Sequence, residues 1–220
     1  MSVELDHLIV FCSAGAPEAE ELVRLGLTEG SPNLHTGQGT ANRRFFFQNA
    51  FIELLWVSDP NEVQTEPVRG TQLWERWSGR LTNACPFGVV LRPSIGPANA
   101  TTPFPTWAYR PPYLPPGLAI EVAEDVPLTE PAYFYLGFAN ASLPIAREPR
   151  KHALGLNRIT GIAIGTPTSG MRSAATISVE AAGLLSLHTA ERWLMTVTFD
   201  NARSGGSADL RPVLPLTLKW

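Results

Sequence analysis

Three side chains sit where their chemistry is expensive. Glu53 interrupts an otherwise apolar run from Ala50 to Val57 (AFIELLWV). His7 lies among apolar neighbours in Val3 to Phe11 (VELDHLIVF), and Glu121 is the lone charge in Leu118 to Ala123 (LAIEVA). Imidazoles and carboxylates are side chains that move protons and hold metal ions. Buried in apolar strands they are costly unless something pairs with them. The structural alternative is a satisfied core histidine at His7, with Glu53 paired to Arg43 or Arg44 across a sheet. For Glu121 it is an ordinary ion pair or solvent exposure.

Other polar groups are candidates for lining a pocket. The Gly37-Gln38-Gly39-Thr40 run could offer backbone N–H groups to an anion. It lacks the lysine and following helix of a phosphate-binding loop, so nucleotide binding is rejected, and a tight loop explains it equally well. Gln38 and Asn42 are candidate substrate-binding residues beside that loop. Arg110, between Tyr109 and two prolines, could clamp a carboxylate, or stack on Tyr109 at the surface. Trp107, Tyr109 and Tyr113 suggest an apolar or aromatic small-molecule ligand, although core packing would also account for them. His35 and His152 lie in turn-rich surroundings, where an exposed histidine is expected. No serine has a nucleophile-elbow context, and Cys85 has no helix N-terminus to activate it. Nucleophilic catalysis is disfavoured.

The elements that must position these groups follow from periodicity. Val3 to Phe11 reads as a central strand, with Leu5, His7, Ile9 and Phe11 on one face. Pro17 to Gly26 reads as a short helix with Ala19, Leu22, Val23 and Leu25 inward. Residues Leu27 to Asn42 form a loop with at most one weak strand. Arg43 to Gln48 and Ala50 to Val57 form a hairpin. A helix is expected over Thr71 to Gly79, and a strand over Pro86 to Arg92. The proline-dense stretch Pro103 to Gly117 is an extended edge or cavity-lining arm, since proline cannot donate to a central ladder. Strands follow at Leu118 to Ala123, Tyr133 to Phe138, Asn157 to Ile164, Trp193 to Phe199 and Val213 to Trp220. A helical or irregular stretch runs from Ser169 towards Gly183.

The bulk numbers exclude several classes. The chain has 220 residues, 44% hydrophobic, 17% charged, with a formal net charge of −3. No basic field points to nucleic acid or anionic lipid. The apolar runs fall short of the roughly 20 residues of a membrane span, and no cationic leader precedes the first one. Cys12 and Cys85 show neither metal spacing nor a disulfide framework, so a reducing cytoplasm is expected.

The run LDHLIVF, then a helix, then GQGTANRRFFFQNAFIELLWV resembles the glyoxalase-like branch of the vicinal oxygen chelate superfamily. The resemblance implies an α+β fold of βαβββ modules curled into an open, barrel-like mixed sheet around a pocket. It also implies one globular unit, with a first module at 1–60, a remodelled middle segment at 61–150 and a partial βαββ module at 151–220. Metal ligands in that family lie on the first and last strands of each module, which maps onto His7 and Glu53. Phe87 stands where a second-module ligand is expected, and Glu121 would supply the closing-strand carboxylate. One imidazole and two carboxylates suit a divalent metal such as Mn, Fe, Ni or Zn. Such an ion would hold adjacent oxygens of a small oxygenated substrate in a lyase, isomerase or dioxygenase-type reaction, with Glu121 as metal ligand or base. The alternative is a metal-free relative that binds or sequesters a small molecule. A third reading is a structural or homodimerising unit.

Overall fold

The computed structural model describes residues 3–94, 101–139 and 147–220. The opening apolar run forms β1 (Val3–Phe11), which has strands on both sides and is buried over most of its length. After α1 (Ala19–Arg24) come β2 (Asn33–His35), β3 (Thr40–Phe46) and β4 (Phe51–Val57), completing a βαβββ unit. Three short helices follow, α2 (Pro60–Val63), α3 (Glu66–Arg69) and α4 (Leu73–Gly79). Next are β5 (Phe87–Pro93), β6 (Thr106–Tyr109), β7 (Ile120–Ala123) and β8 (Ala132–Tyr135). The fold is mixed α+β and mostly sheet, and these eight strands curl into a half-barrel.

Strand order in the half-barrel is β2-β3-β4-β1-β5-β8-β7-β6. β1 runs parallel to β4, β5 runs parallel to β8, and the two halves join through the antiparallel pair β1/β5. The second half therefore repeats the strand arrangement of the first. A second, five-stranded sheet has the order β10-β9-β11-β13-β12. It contains β9 (Ile159–Thr166), β10 (Ser186–Thr189), β11 (Leu194–Phe199), β12 (Ser207–Asp209) and β13 (Leu216–Lys219), with α5 (Ala174–Ala181) after β9.

The two faces of the half-barrel have different partners. On one face, Leu8, Val10, Phe45, Phe47, Ile52, Leu54 and Val89 share a core with Ile162, Ile164, Met195, Val197 and Phe199 of the second sheet. On the other, Ile9, Phe11, Leu55, Val90, Tyr109 and Phe134 pack with Val63, Val68 and Leu73 of the short helices. Burial on both faces explains the near-continuous apolar runs of β1, β4 and β5, which simple alternation would not produce. Among the described residues no helix is long and apolar enough to cross a membrane.

Several sequence expectations need correcting. The register of β1 shifts between Leu5 and His7, so Leu5 joins the core on the face opposite His7. A bulge of this kind re-aims the residues beside it. Val23 is 39% exposed rather than inward. β3 begins at Thr40, three residues before its expected start, because Thr40 to Asn42 pair with β2 on one side and β4 on the other. The closing strand of the second half is β8, not the strand carrying Glu121. Of the connector from Pro93 to Trp107, residues 95–100 lie outside the described part.

Candidate functional site

β-strand alternation puts Thr40, Asn42, Arg44 and Phe46 of β3 on the same face as Phe51, Glu53 and Leu55 of β4. His7 pairs with Phe51 and Ile9 with Glu53 across the parallel β1/β4 ladder. His7 and Glu53 are thus diagonal neighbours on one face, and His7 Nε2 lies 3.3 Å from Glu53 Oε2. The imidazole stacks on Phe51, with ring centroids 4.2 Å apart and planes 16° from parallel. Its other nitrogen, Nδ1, meets Asp6 Oδ1 at 2.6 Å.

A second layer fixes both carboxylates. Asn42 Nδ2 donates to Glu53 Oε1, and Asn42 Oδ1 accepts from the Asn33 N–H at 2.8 Å. Asp6 Oδ2 accepts from Arg92 Nη1 at 3.0 Å. The Arg92 side chain, 3% exposed, also donates to Glu4 at 2.8 Å and to the Asn49 carbonyl at 2.8 Å. Burial alone would push the His7 pKa down. Hydrogen bonds and charge from Asp6 and Glu53 outweigh that and raise it to about 9. Burial pushes the Glu53 carboxyl up, but His7 together with the Asn42 bond holds it below its usual value. Asp6 is likewise lowered by His7 and Arg92 against the effect of burial. At neutral pH the cluster is an imidazolium between two carboxylates.

This cluster forms one wall of a cavity of about 240 Å³. His35, Gln38, Asn42 and Arg44 continue the polar wall. Val90, Tyr109, Leu114, Ile120, Phe134 and Phe138 supply an apolar one. His35 Nδ1 lies 2.9 Å from Thr40 Oγ1, and burial lowers its pKa, which keeps the ring neutral. The arm after β6 closes over this end. Tyr113 donates its hydroxyl to Gln38 Oε1 at 3.0 Å. Pro112 sits so close to Gly37 that a Cβ there would stand 2.3 Å from its Cγ, and Gly37 has a φ of +81°. Both facts require glycine at that turn. The Tyr109 hydroxyl is buried and has no hydrogen-bond partner.

The structure brings His7, Glu53, Gln38, Asn42 and Tyr109 together and leaves three expected residues elsewhere. Glu121 lies next to Ile120, which lines the cavity, and alternation turns it to the opposite face, where it accepts from Thr106 Oγ1 at 2.9 Å. Trp107 lines a different cavity. Arg110 is exposed beyond the end of β6, 3.5 Å from the Ala108 carbonyl. The anticipated pairing of Glu53 with Arg43 or Arg44 does not form either. Arg43 binds Glu29 and Glu20, while Arg44 binds Ser31. His152, expected at the surface, is buried with both ring nitrogens bonded, to the Thr28 N–H and the Phe46 carbonyl.

Asp6, Arg92 and His35 were missed as site residues. The signal for Asp6 is the adjacent pair Asp6-His7 in an apolar strand, which a bulge alone can bring into one cluster. The donor set does not fit a divalent metal. Among the described residues no group of three or more His, Cys, Asp or Glu is placed to hold one. Val90, opposite His7 on β5, and Phe134 beyond it on β8 are apolar where the second half would have to contribute donors.

A family model described as a glyoxalase-like domain matches residues 5–94, which span β1 to β5. No functionally curated protein matches the sequence. Among matching solved structures is the crystal structure of a hypothetical protein from Staphylococcus aureus, with 11% identity and a TM-score of 0.52. The match covers 99% of each chain and shows a shared fold.

Proposed function

We propose that this chain, whose residues 5–94 match a glyoxalase-like domain model, binds a small, largely apolar organic molecule in its cavity without a metal. The observation that carries this reading is the commitment of the two expected ligands to each other. His7 and Glu53 face one another at 3.3 Å, with Asp6 and Asn42 holding their remaining atoms. Proton abstraction by Glu53 is disfavoured as well. A general base works best with a pKa near the working pH, and this carboxyl is held low.

The ligand this wall suits has an apolar or aromatic body against Val90, Leu114, Ile120 and Phe134. Its polar end would reach Glu53, Gln38 and Asn42. Pockets of this kind gain affinity from apolar burial and orientation from a few fixed polar groups.

Thermal-shift titration with a panel of small aromatic compounds, and separately with Mn, Fe, Ni and Zn salts, tests the reading. A ligand at 100 times its Kd stabilises the folded state by about 2.7 kcal/mol. Aromatic compounds should raise Tm, and Leu114→Trp, which fills the cavity, should remove the effect. Stabilisation by a divalent metal that His7→Ala abolishes would overturn the proposal in favour of a metal-dependent enzyme.

A further inference from the structure

His35 stands at the end of β2, and the chain turns sharply after it. The Gln38 and Gly39 N–H groups both donate to the His35 carbonyl, at 3.0 and 3.2 Å. This turn brings Gln38 back beside the His35 side chain and beside Thr40, which pairs with His35 across the β2/β3 ladder. The imidazole lines the His7–Glu53 cavity, with the Tyr113 ring against it at a centroid distance of 5.0 Å.

Hydrogen bonds run in one direction from the arm to this ring. The Tyr113 hydroxyl donates to Gln38 Oε1 at 3.0 Å, which turns the amide nitrogen towards Thr40. Gln38 Nε2 donates to Thr40 Oγ1 at 2.7 Å and also lies 3.5 Å from His35 Nδ1. Thr40 Oγ1 has a single proton to give, and the acceptor beside it, at 2.9 Å, is His35 Nδ1. The opposite amide orientation would leave the Tyr113 O–H without an acceptor among the described residues.

Both groups facing Nδ1 are thus donors. A neutral imidazole that accepts at one nitrogen carries its proton on the other. Burial favours the neutral ring. The proton is therefore on Nε2. That atom has no hydrogen-bond partner among the described residues, and it is not one of the buried polar atoms sealed off without a partner. It is a fixed donor left open on the cavity wall.

We propose that His35 is a binding residue of this cavity, donating from Nε2 to a neutral carbonyl oxygen on the ligand, with Tyr113, Gln38 and Thr40 as positioning residues that set its tautomer. This role rests on the cavity being a small-molecule site, as proposed above, and it names the group that the site takes. An ionised group is not matched here. His35 is neutral, His7 faces Glu53 at 3.3 Å, and Arg44 has Glu148 at 3.9 Å. The ligand class is an apolar or aromatic ketone, aldehyde or amide.

Acetophenone and ethylbenzene test this, being similar in size and differing by a carbonyl in place of a methylene. Their Kd values for the full chain and for His35→Phe, from NMR titration, separate the hydrogen bond from apolar burial. In the variant the ratio of the two should move by about fivefold against acetophenone, the size of one neutral hydrogen bond. Tyr113→Phe keeps the ring, removes the O–H that orients Gln38, and should move the ratio the same way by less. Long-range 1H–15N NMR of the natural chain at neutral pH should show the His35 proton on Nε2. If His35→Phe does not fold, that spectrum and Tyr113→Phe carry the test. A proton on Nδ1 overturns the proposal, and so does a ratio that stays the same in the folded variant. Failure of both probes to bind removes the small-molecule reading and the role of His35 with it, whereas binding with an unchanged ratio overturns only the latter.

Discussion

The charged state of His7 makes a prediction whose sign and size both follow from the structure. Its pKa is raised from 6.5 to about 9 by Asp6 and Glu53, against the effect of burial. A group with a folded-state pKa above its unfolded value binds more protons folded than unfolded. Its contribution is therefore complete below about pH 6.5 and is lost as pH rises through about 9. At 1.36 kcal/mol for each tenfold change in proton affinity, this difference corresponds to about 3 kcal/mol. Urea unfolding from pH 6 to 10, approximate limits chosen to span both pKa values, should show stability falling by about that amount. Glu53→Gln keeps the shape of the side chain and removes one of the two charges that hold the proton. In that variant the fall should be smaller and begin at lower pH. Other alkaline titrations are common to both chains, so the difference between the two curves isolates His7. NMR titration of the His7 ring gives the same quantity directly. A folded-state pKa below 7, or identical curves for the two chains, would refute the reasoning.

The other expectations concern the shell around that pair and the apolar wall facing it. Arg92→Met removes a buried cation from Glu4, Asp6 and the Asn49 carbonyl, leaving Asp6 without one of its two partners. Breaking a buried pair in this way should cost about 3–5 kcal/mol in urea unfolding. A cost near zero would show that Arg92 is dispensable to the cluster. Tyr109→Phe deletes a buried hydroxyl that has no partner. It should stabilise the ligand-free protein by about 1 kcal/mol, seen as a higher urea midpoint, whereas destabilisation would show that the hydroxyl is hydrogen-bonded.

The first half of the fold was legible because its signals are local. Val3 to Phe11 and Ala50 to Val57 carry enough apolar residues to force strands, and a charge inside such a run declares that a partner exists. What the run does not declare is which partner. Arg44 is level with Glu53 on the neighbouring strand, yet its guanidinium turns to Ser31, while Glu53 is met by Asn42 and His7. That choice depends on the diagonal offset between strands, which no short window of sequence contains. Asp6 was hidden for a related reason, since strict alternation places it away from His7 and only the register shift after Leu5 joins them. Glu121 stands off the site because its strand, β7, is not the closing strand of its half. The true closing strand, Ala132 to Tyr135, carries no charge to attract notice.

The repeated strand order of the half-barrel gives that misplacement a functional meaning. Each half offers an inner strand to the β1/β5 junction and a parallel neighbour beside it, so both halves could furnish ligands to one point. In this chain only one half carries donors. His7 and Glu53 stand on β1 and β4, whereas Val90 and Phe134 stand on β5 and β8. A metal drawing ligands from both sides would find two donors already neutralising each other and two hydrocarbon side chains. The same asymmetry suits an oriented organic ligand. Its apolar side can lie on β5 and β8 while its polar side meets an ion pair whose charges nearly cancel. Charge cancellation matters here, since an unbalanced Glu53 facing an apolar cavity would oppose burial of any neutral ligand. His7 is thus best understood as the group that lets a carboxylate line this cavity, holding Glu53 ionised and in place as an acceptor.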